Sequence, residues 1–379
     1  MASELALTND YADLLRNGHP LLDVRAPMEF AEGTLPTAHN LPLMTDRERE
    51  QVGIRYKEAG QRAAIELGHE LVGGQVREAR IAQWVDFVNR HPQARLYCSR
   101  GGLRSRIVQQ WLKETGVTIP RVAGGYKSLR RFVLDELIGH RIPELPLMVV
   151  AGRTGTGKTR LLHQLPNPVD LEGLAAHRGS SFGRTLTPQP TQASFENVVA
   201  TALYQAHARG VPVHVEDEGR LIGRRVLPLP LQQRLAESPR IVLEQPNETR
   251  VENILEDYVI DMSQAFMARD GTEAGYEAFR SFLLDALGRI RKRLGGLRHQ
   301  QLEAVMQEAL TRQWHSGELD RHRDWIRTLL TDYYDPMYDY QLSQRDSRVL
   351  IQGGFDELIE WASETSLQPP TAQKPRRSA

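Results

Sequence analysis

The chain has 379 residues, 48 basic and 48 acidic side chains, and one cysteine. A formal net charge of zero excludes a protein that draws in nucleic acid by its global field, leaving only local basic patches. A single cysteine excludes an internal disulfide and any multi-cysteine metal site. No apolar run is long enough to span a bilayer, and the first ten residues lack the basic start and apolar core of a secretory signal, so the cytoplasm is the expected compartment.

In chain order, Leu21-Leu22-Asp23-Val24-Arg25 reads as a short buried strand. Pro27, Glu29, Phe30 and Gly33 follow, then the turn-rich run Leu35-Pro36-Thr37-Ala38-His39-Asn40-Leu41-Pro42. Strands and helices alternate as far as Gly124-Gly125-Tyr126, the pattern of a parallel α/β sheet. Between Asn40 and Arg90 lies more chain than a minimal domain of this kind needs. Arg55, Lys57 and Arg62 there either reach a polyanion or form a solvated helical face. Residues 94–97 read as a buried strand and Leu103 to Glu114 as the helix after it. The loop between them is Cys98-Ser99-Arg100-Gly101-Gly102. A thiol followed by two glycines and flanked by Arg100 and Arg104 suits an anion nest, whose N–H groups also favour the nucleophilic thiolate. An inert core cysteine is the plainer alternative. The Cys98-x5-Arg104 spacing gives a ring of donors wide enough for a phosphate-sized group.

Pro143-Glu144-Leu145-Pro146 reads as a domain joint and Leu147–Ala151 as an apolar strand. Gly152, Arg153, Thr154, Gly155, Thr156, Gly157, Lys158 and Thr159 then form a complete P-loop in strand–loop–helix context. The glycines admit phosphate to the backbone N–H groups, Lys158 contacts phosphate oxygens, and the Thr159 hydroxyl is placed for Mg²⁺. A strand ending at Val215 carries Glu216-Asp217-Glu218. Glu216 and Asp217 complete the candidate magnesium set, and either could instead act as a base or pair with nearby arginines. The Gly-, Ser- and Pro-rich stretch 176–197 reads as a substrate loop, with Arg178, Ser180, Ser181, Gln189 and Gln192 as candidate contacts. From Glu248 the chain is mostly helical. Its basic residues, from Arg289 to Arg327, fit either an RNA backbone or a solvated face. Tyr333, Tyr334, Tyr338 and Tyr340 fit either base stacking or core packing. The expected division is 1–140, 141–365 and a disordered tail, 366–379.

Asp-Val-Arg-x-Pro-x-Glu-Phe-x-x-Gly, followed by Leu-Pro-x-Ala-x-Asn-x-Pro, resembles the rhodanese (sulfurtransferase) family over about residues 5–138. The Cys98 loop falls at its active-site loop, and Gly124-Gly125-Tyr126 at its closing motif. In that family the cysteine carries a transferable chalcogen, and Asp23 and Arg25 become structural. Single-domain members usually have a Cys loop one residue shorter; the longer spacing here is that of cysteine-dependent phosphatases. A rhodanese segment before a P-loop segment is similar to the bacterial tRNA 2-selenouridine synthase family, as are Tyr-Cys-x-Arg-Gly-Gly-x-Arg-Ser, His-Arg-Gly-Ser-Ser-Phe-Gly, Gln-Pro-x-Gln-x-x-Phe-Glu-Asn and Val-Glu-Asp-Glu. The resemblance covers nearly the whole chain.

That resemblance implies an α/β fold: an N-terminal rhodanese-like parallel-sheet domain, then a P-loop NTPase-like α/β domain with a helical C-terminal part. It implies a tRNA substrate, met at the anticodon loop, with wobble 2-thiouridine. A geranyl group from geranyl diphosphate would go onto the sulfur, and selenium from selenophosphate would replace the S-geranyl group. Sulfur on a pyrimidine carbon leaves poorly until it is alkylated, which fits two steps. The P-loop would hold the diphosphate, and Cys98, Arg100 and Arg104 would serve the selenium step. No tightly bound cofactor and no membrane are expected, and the oligomeric state stays open. An ATP-dependent tRNA thiolation enzyme or small-molecule kinase, a phosphatase and a non-enzymatic RNA-binding scaffold remain as rivals.

Overall fold

The computed structural model describes residues 6–343 and 348–366; the tail expected to be disordered lies, apart from Ser366, outside the described residues. The chain forms two compact units: residues 1–143 with 190–208, and residues 144–189 with 209–379.

The first unit is built on a five-stranded, all-parallel sheet. Its strands are β1 (Leu7–Thr8), β2 (Leu21–Asp23), β3 (Ala38–Asn40), β4 (Arg95–Tyr97) and β5 (Arg121–Val122), in the order β1-β5-β4-β2-β3. The segment before β4 is two long helices, Asp46–Leu71 and Gly74–Arg90. A capping box starts the first: Thr45 Oγ1 accepts from the Glu48 N–H at 3.3 Å, and Glu48 accepts from the Thr45 N–H at 2.7 Å. Gly60, at φ +81°, kinks it midway. Trp84, Phe87, Leu96, Val108 and Leu112 fill the core beneath the sheet, and Cys98 belongs to the same cluster.

Sequence reading assigned the stretch around Gln192 to a substrate loop of the second domain. Residues 192–207 instead form a helix of the first unit. Its N-cap, Thr191, donates to the Glu32 carbonyl at 3.0 Å, Asn197 donates to the Thr34 carbonyl at 2.6 Å, and Gln205 donates to the Leu15 carbonyl at 2.7 Å. Phe195, Val199, Ala200 and Leu203 are fully buried. The apolar periodicity explains the helix; a Pro- and Gly-rich approach had obscured it.

The second unit has another five-stranded parallel sheet. Its strands are β6 (Leu147–Ala151), β7 (Pro168–Val169), β8 (Val213–Glu216), β11 (Arg240–Leu243) and β12 (Val349–Gly353), in the order β12-β11-β6-β8-β7. A separate hairpin joins β9 (Leu221–Ile222) and β10 (Arg225–Val226). Strand β12 interrupts the region read as helical after Glu248. The helices between β11 and β12 bury their own core, with Phe279, Leu283, Leu287, Met306, Trp325 and Leu330 among its members. Both sheets put the ends of their central strands, β4 and β6, under the loops that carry chemistry.

Candidate functional site

Cys98 directly follows β4 and is only 3% exposed. Its thiol lies 3.3 Å from the Ser105 hydroxyl, which donates to the Gly102 carbonyl at 3.2 Å. The closing motif pins the loop from behind: the N–H groups of Tyr126 and Lys127 donate to the carbonyls of Cys98 and Ser99 at 2.9 and 3.0 Å. The approach is so tight that a Cβ at Gly125, which sits at φ +59°, would collide with the Cys98 carbonyl. Arg121 Nη1 donates to the Gly101 carbonyl at 2.8 Å. These bonds occupy the carbonyls of Cys98, Ser99, Gly101 and Gly102, so the loop is held by its carbonyl side, as a nest of N–H groups requires.

The two arginines of this loop behave differently. Arg100 is exposed. Arg104 forms an ion pair with Glu29 and donates to Ser99 Oγ at 2.9 Å, while the Ser99 hydroxyl donates to Glu29 at 2.9 Å. Burial pushes the Glu29 carboxyl up, but the Arg104 guanidinium, the Ala26 N–H and the Ser99 hydroxyl outweigh it and hold the group at about 2. Asp23 and Arg25 form a buried pair, 2.7 Å apart, with Arg25 also donating to the Gly33 carbonyl at 2.8 Å and stacked 4.0 Å from the Tyr126 ring. They tie the end of β2 to its loops, as a structural reading expects.

In the second unit the P-loop leaves β6 and enters the helix Lys158–Leu162. Lys158 Nζ donates to the Gly152 carbonyl at 2.9 Å, and Thr156 Oγ1 donates to the Arg153 carbonyl at 2.9 Å. Two side chains of the helix Asn247–Leu255 brace the loop: Arg250 Nε donates to the Thr154 carbonyl and Asn253 Nδ2 to the Gly155 carbonyl, both at 2.9 Å. Gly155, at φ +83°, has no room for a Cβ against the Arg250 carbonyl. Arg250 is itself 3% exposed and forked onto Asp335, with one bond of 2.5 Å and one of 3.0 Å. Arg153 points away from the glycines and pairs with Asp339 at 2.8 Å.

The P-loop forms one wall of a cavity of about 1080 Å³. Lys158, Thr159, Arg178, Ser180 and Ser181 line it, so the structure brings these predicted residues together. Arg178 donates to the Asp257 carbonyl at 2.7 Å and lies 5.3 Å from the Tyr258 ring. Phe182 anchors the loop by burying itself against Trp325, ring centroids 5.8 Å apart. Two π-helical turns, Glu256–Ile260 and Leu330–Tyr334, supply Tyr258, Tyr333 and Tyr334 to the wall beside Ile254 and Met337. Tyr333 and Tyr334 are therefore core residues with an edge on the cavity, and Tyr340 is exposed.

Gln189 does not join the cavity. It donates to the carbonyls of Ala175 and Ile222 at 3.0 Å each and accepts from the Arg224 N–H at 2.8 Å, so it holds the β9–β10 hairpin. Gln192 lies in the first unit, donating to Glu196 at 3.0 Å. Glu216 sits behind the wall, 0% exposed, accepting from the Leu171 N–H at 2.8 Å with Oε1 unpartnered. Burial, followed by the charge of Asp170, drives its carboxyl well above the ordinary range. Asp217 lies on the cavity and 3.5 Å from the buried Arg240.

Sequence reading gave no role to Glu172 and placed Glu218 only among the acids that end the strand near the P-loop. The two share a hydrogen bond on the cavity wall, facing Lys158. Burial, followed by the charge of Glu172 and the hydrogen bond to it, raises the Glu218 carboxyl. Among the described residues no group of three or more His, Cys, Asp or Glu is arranged to hold a metal ion. Magnesium there would rest on Thr159, one of these acids, and phosphate and water oxygens.

A thiol in a pinned Gly-Gly loop on one parallel sheet, and a braced P-loop on another, define a rhodanese-like domain joined to a P-loop domain. Comparisons with known proteins agree. Residues 7–131 match the rhodanese-like domain family, and residues 145–368 match the family described as the tRNA 2-selenouridine synthase AAA domain. A tRNA 2-selenouridine synthase of Marinobacter nauticus is 55% identical over 94% of this chain and 97% of its own. One of Cupriavidus pinatubonensis is 50% identical, over 95% and 98%, and one of Pseudomonas fluorescens 48%, over 94% and 98%. The chain belongs to the tRNA 2-selenouridine synthase family, a family of enzymes.

Proposed function

We propose that this enzyme converts wobble 2-thiouridine in tRNA to 2-selenouridine through an S-geranyl intermediate. The observation that carries the reading is the pairing of two unlike anion sites: a P-loop cavity with an aromatic and aliphatic wall, and a nest around a single thiol. In the first step the 2-thio sulfur attacks C1 of geranyl diphosphate, the C–O bond breaks, pyrophosphate leaves and N3 gives up its proton. The P-loop N–H groups and Lys158 stabilise the departing pyrophosphate. Magnesium, when bound at Thr159, would add neutralisation of its charge. Ile254, Tyr258, Tyr334 and Met337 offer the prenyl donor an apolar bed beside the phosphates. In the second step selenium of selenophosphate attacks C2, the C2–S bond breaks and geranylthiol leaves with the selenol proton; water then attacks phosphorus, the P–Se bond breaks, phosphate departs and N3 regains a proton. The Cys98 loop and Arg100 suit the binding of selenophosphate, and Arg104 orders the loop through Glu29 and Ser99.

Mass spectrometry of wobble nucleosides tests this, using tRNA incubated with enzyme, geranyl diphosphate and selenophosphate. Wild type should yield selenouridine, Cys98→Ser should stall at geranyl-thiouridine, and Lys158→Ala should leave thiouridine untouched. Full selenouridine from Cys98→Ser, or normal geranylation by Lys158→Ala, would remove the corresponding half of the proposal. Unchanged thiouridine with wild type, together with tRNA-stimulated ATP hydrolysis, would instead favour an ATP-dependent thiolation enzyme or kinase.

A further inference from the structure

The first unit holds a second cavity, of about 530 Å³, that none of the steps above uses. Small-molecule sites run from roughly 300 to 1,000 Å³. Its walls are Leu43, Val52, Ala64 and Ile65 on one side and Ile107 and Trp111 on the other. Val52, Ala64 and Ile65 lie on the kinked helix 46–71, the extra segment whose purpose the sequence left open. Ile107 and Trp111 lie on the helix that follows the Cys98 loop.

Three cations, Arg49, Lys57 and Arg104, share this lining, with Glu29 paired to Arg104 and 4.0 Å from Arg49. An apolar interior with cations around it fits an apolar chain attached to an anionic body. It fits neither a free anion, which has no use for aliphatic walls, nor an ordinary packing void, which has no use for cations. The cavity also abuts the reacting loop. Arg104 lines it and donates to Ser99 Oγ at 2.9 Å, and Cys98 packs in one cluster with Leu43 and Trp111.

We propose that this cavity receives the terpene chain of the S-geranylated wobble nucleotide during the second step. Arg49 and Lys57 meet the adjoining RNA phosphates. The inference rests on the two-step reading above and deepens it. The chain hangs from the sulfur bonded to C2, so seating it here delivers the C2–S bond to the Cys98 loop. Binding of a part that does not react then positions the part that does. Alkylation has two consequences on this view: it makes the sulfur a leaving group, and it gives the enzyme a handle on the intermediate.

The test uses the full chain and anticodon stem-loop RNAs carrying 2-thiouridine, S-methyl-2-thiouridine or S-geranyl-2-thiouridine, with affinities read by fluorescence anisotropy. Wild type should bind the geranyl RNA at least tenfold more tightly than the methyl RNA. Val52→Trp, at a partly exposed wall position, and Ala64→Phe should bring that ratio close to one and raise KM for selenation of the geranyl RNA. A wild-type ratio near one would overturn the proposal, as would a folded variant, verified by circular dichroism, that keeps the wild-type ratio. A high wild-type ratio that the variants abolish, with no selenation by wild type, would support the cavity and count against the reaction assigned to the Cys98 loop.

Discussion

Glu29 and Arg104 lock the loop in front of Cys98, and their protonation gives that lock a pH dependence of defined sign. The Glu29 carboxyl is lowered to about 2 in the folded chain. Its contribution is therefore complete above the unfolded value near 4.5 and is lost as pH falls towards 2, on the order of 2–3 kcal/mol at most. Thermal unfolding of Glu29→Gln should show a deficit at pH 7 that narrows steadily below pH 4.5; a deficit independent of pH would mean that the pairing is not electrostatic. Glu218 carries the opposite sign. Its carboxyl is raised by burial and by Glu172, so the folded state favours the protonated form and loses stability as pH rises. Glu218→Gln should unfold at a higher temperature than wild type at pH 8 and at nearly the same temperature at pH 4. At this scale the sequence revealed Cys98, Lys158 and Thr159, because each sits in a contiguous motif. It concealed the Arg104 partner, which lies 75 residues away and is set by the approach of two loops. It also concealed that Glu216 is sealed behind the wall that Glu218 faces.

Among the elements, the P-loop depends on a helix that no motif marks. The helix Asn247–Leu255 presents Arg250 and Asn253 to the Thr154 and Gly155 carbonyls, and Asp335 fixes Arg250 in turn. Arg250→Ala would leave the partly buried Asp335 with only Arg153, 3.8 Å away, a smaller loss than the roughly 3–5 kcal/mol of stranding a fully unpaired buried charge. It should lower the denaturation midpoint and raise KM for geranyl diphosphate, the proposed donor, with Arg250→Lys recovering only part of either, because a lysine cannot reproduce the fork. Unchanged KM in a folded Arg250→Ala enzyme would show that the loop holds its shape without the brace. Strand β12 taught a different lesson. Val349-Leu350-Ile351 is a short apolar run with β-branched residues, a readable strand signal, but its setting in a long helical region hid it. Likewise the basic run of the C-terminal helices read equally as an RNA face or a solvated one. In the structure Arg312 pairs with Glu308 and Glu318, Arg323 with Glu252 and Arg327 with Glu248, as on a solvated face.

For the molecule as a whole, the α/β class and the two parallel sheets were legible, because buried strands announce themselves and the P-loop fixes a strand–loop–helix unit. The ownership of residues 190–208 was not. It depends on which apolar surface the helix finds, and the first unit provides that surface with Leu15, Thr34 and Arg130 as polar guides. The polypeptide consequently crosses between units three times, after residues 143, 189 and 208. Neither unit can then be inherited, deleted or exchanged as one stretch of gene. A genetic fragment ending at residue 143 would encode a first unit without the helix that buries Phe195, Val199 and Leu203, and it should aggregate or expose apolar surface to dye. A full chain nicked between residues 143 and 144 should instead migrate as one particle, because that helix still belongs covalently to the other half. The chain's two units are in this sense a woven pair, and only the whole chain carries both complete.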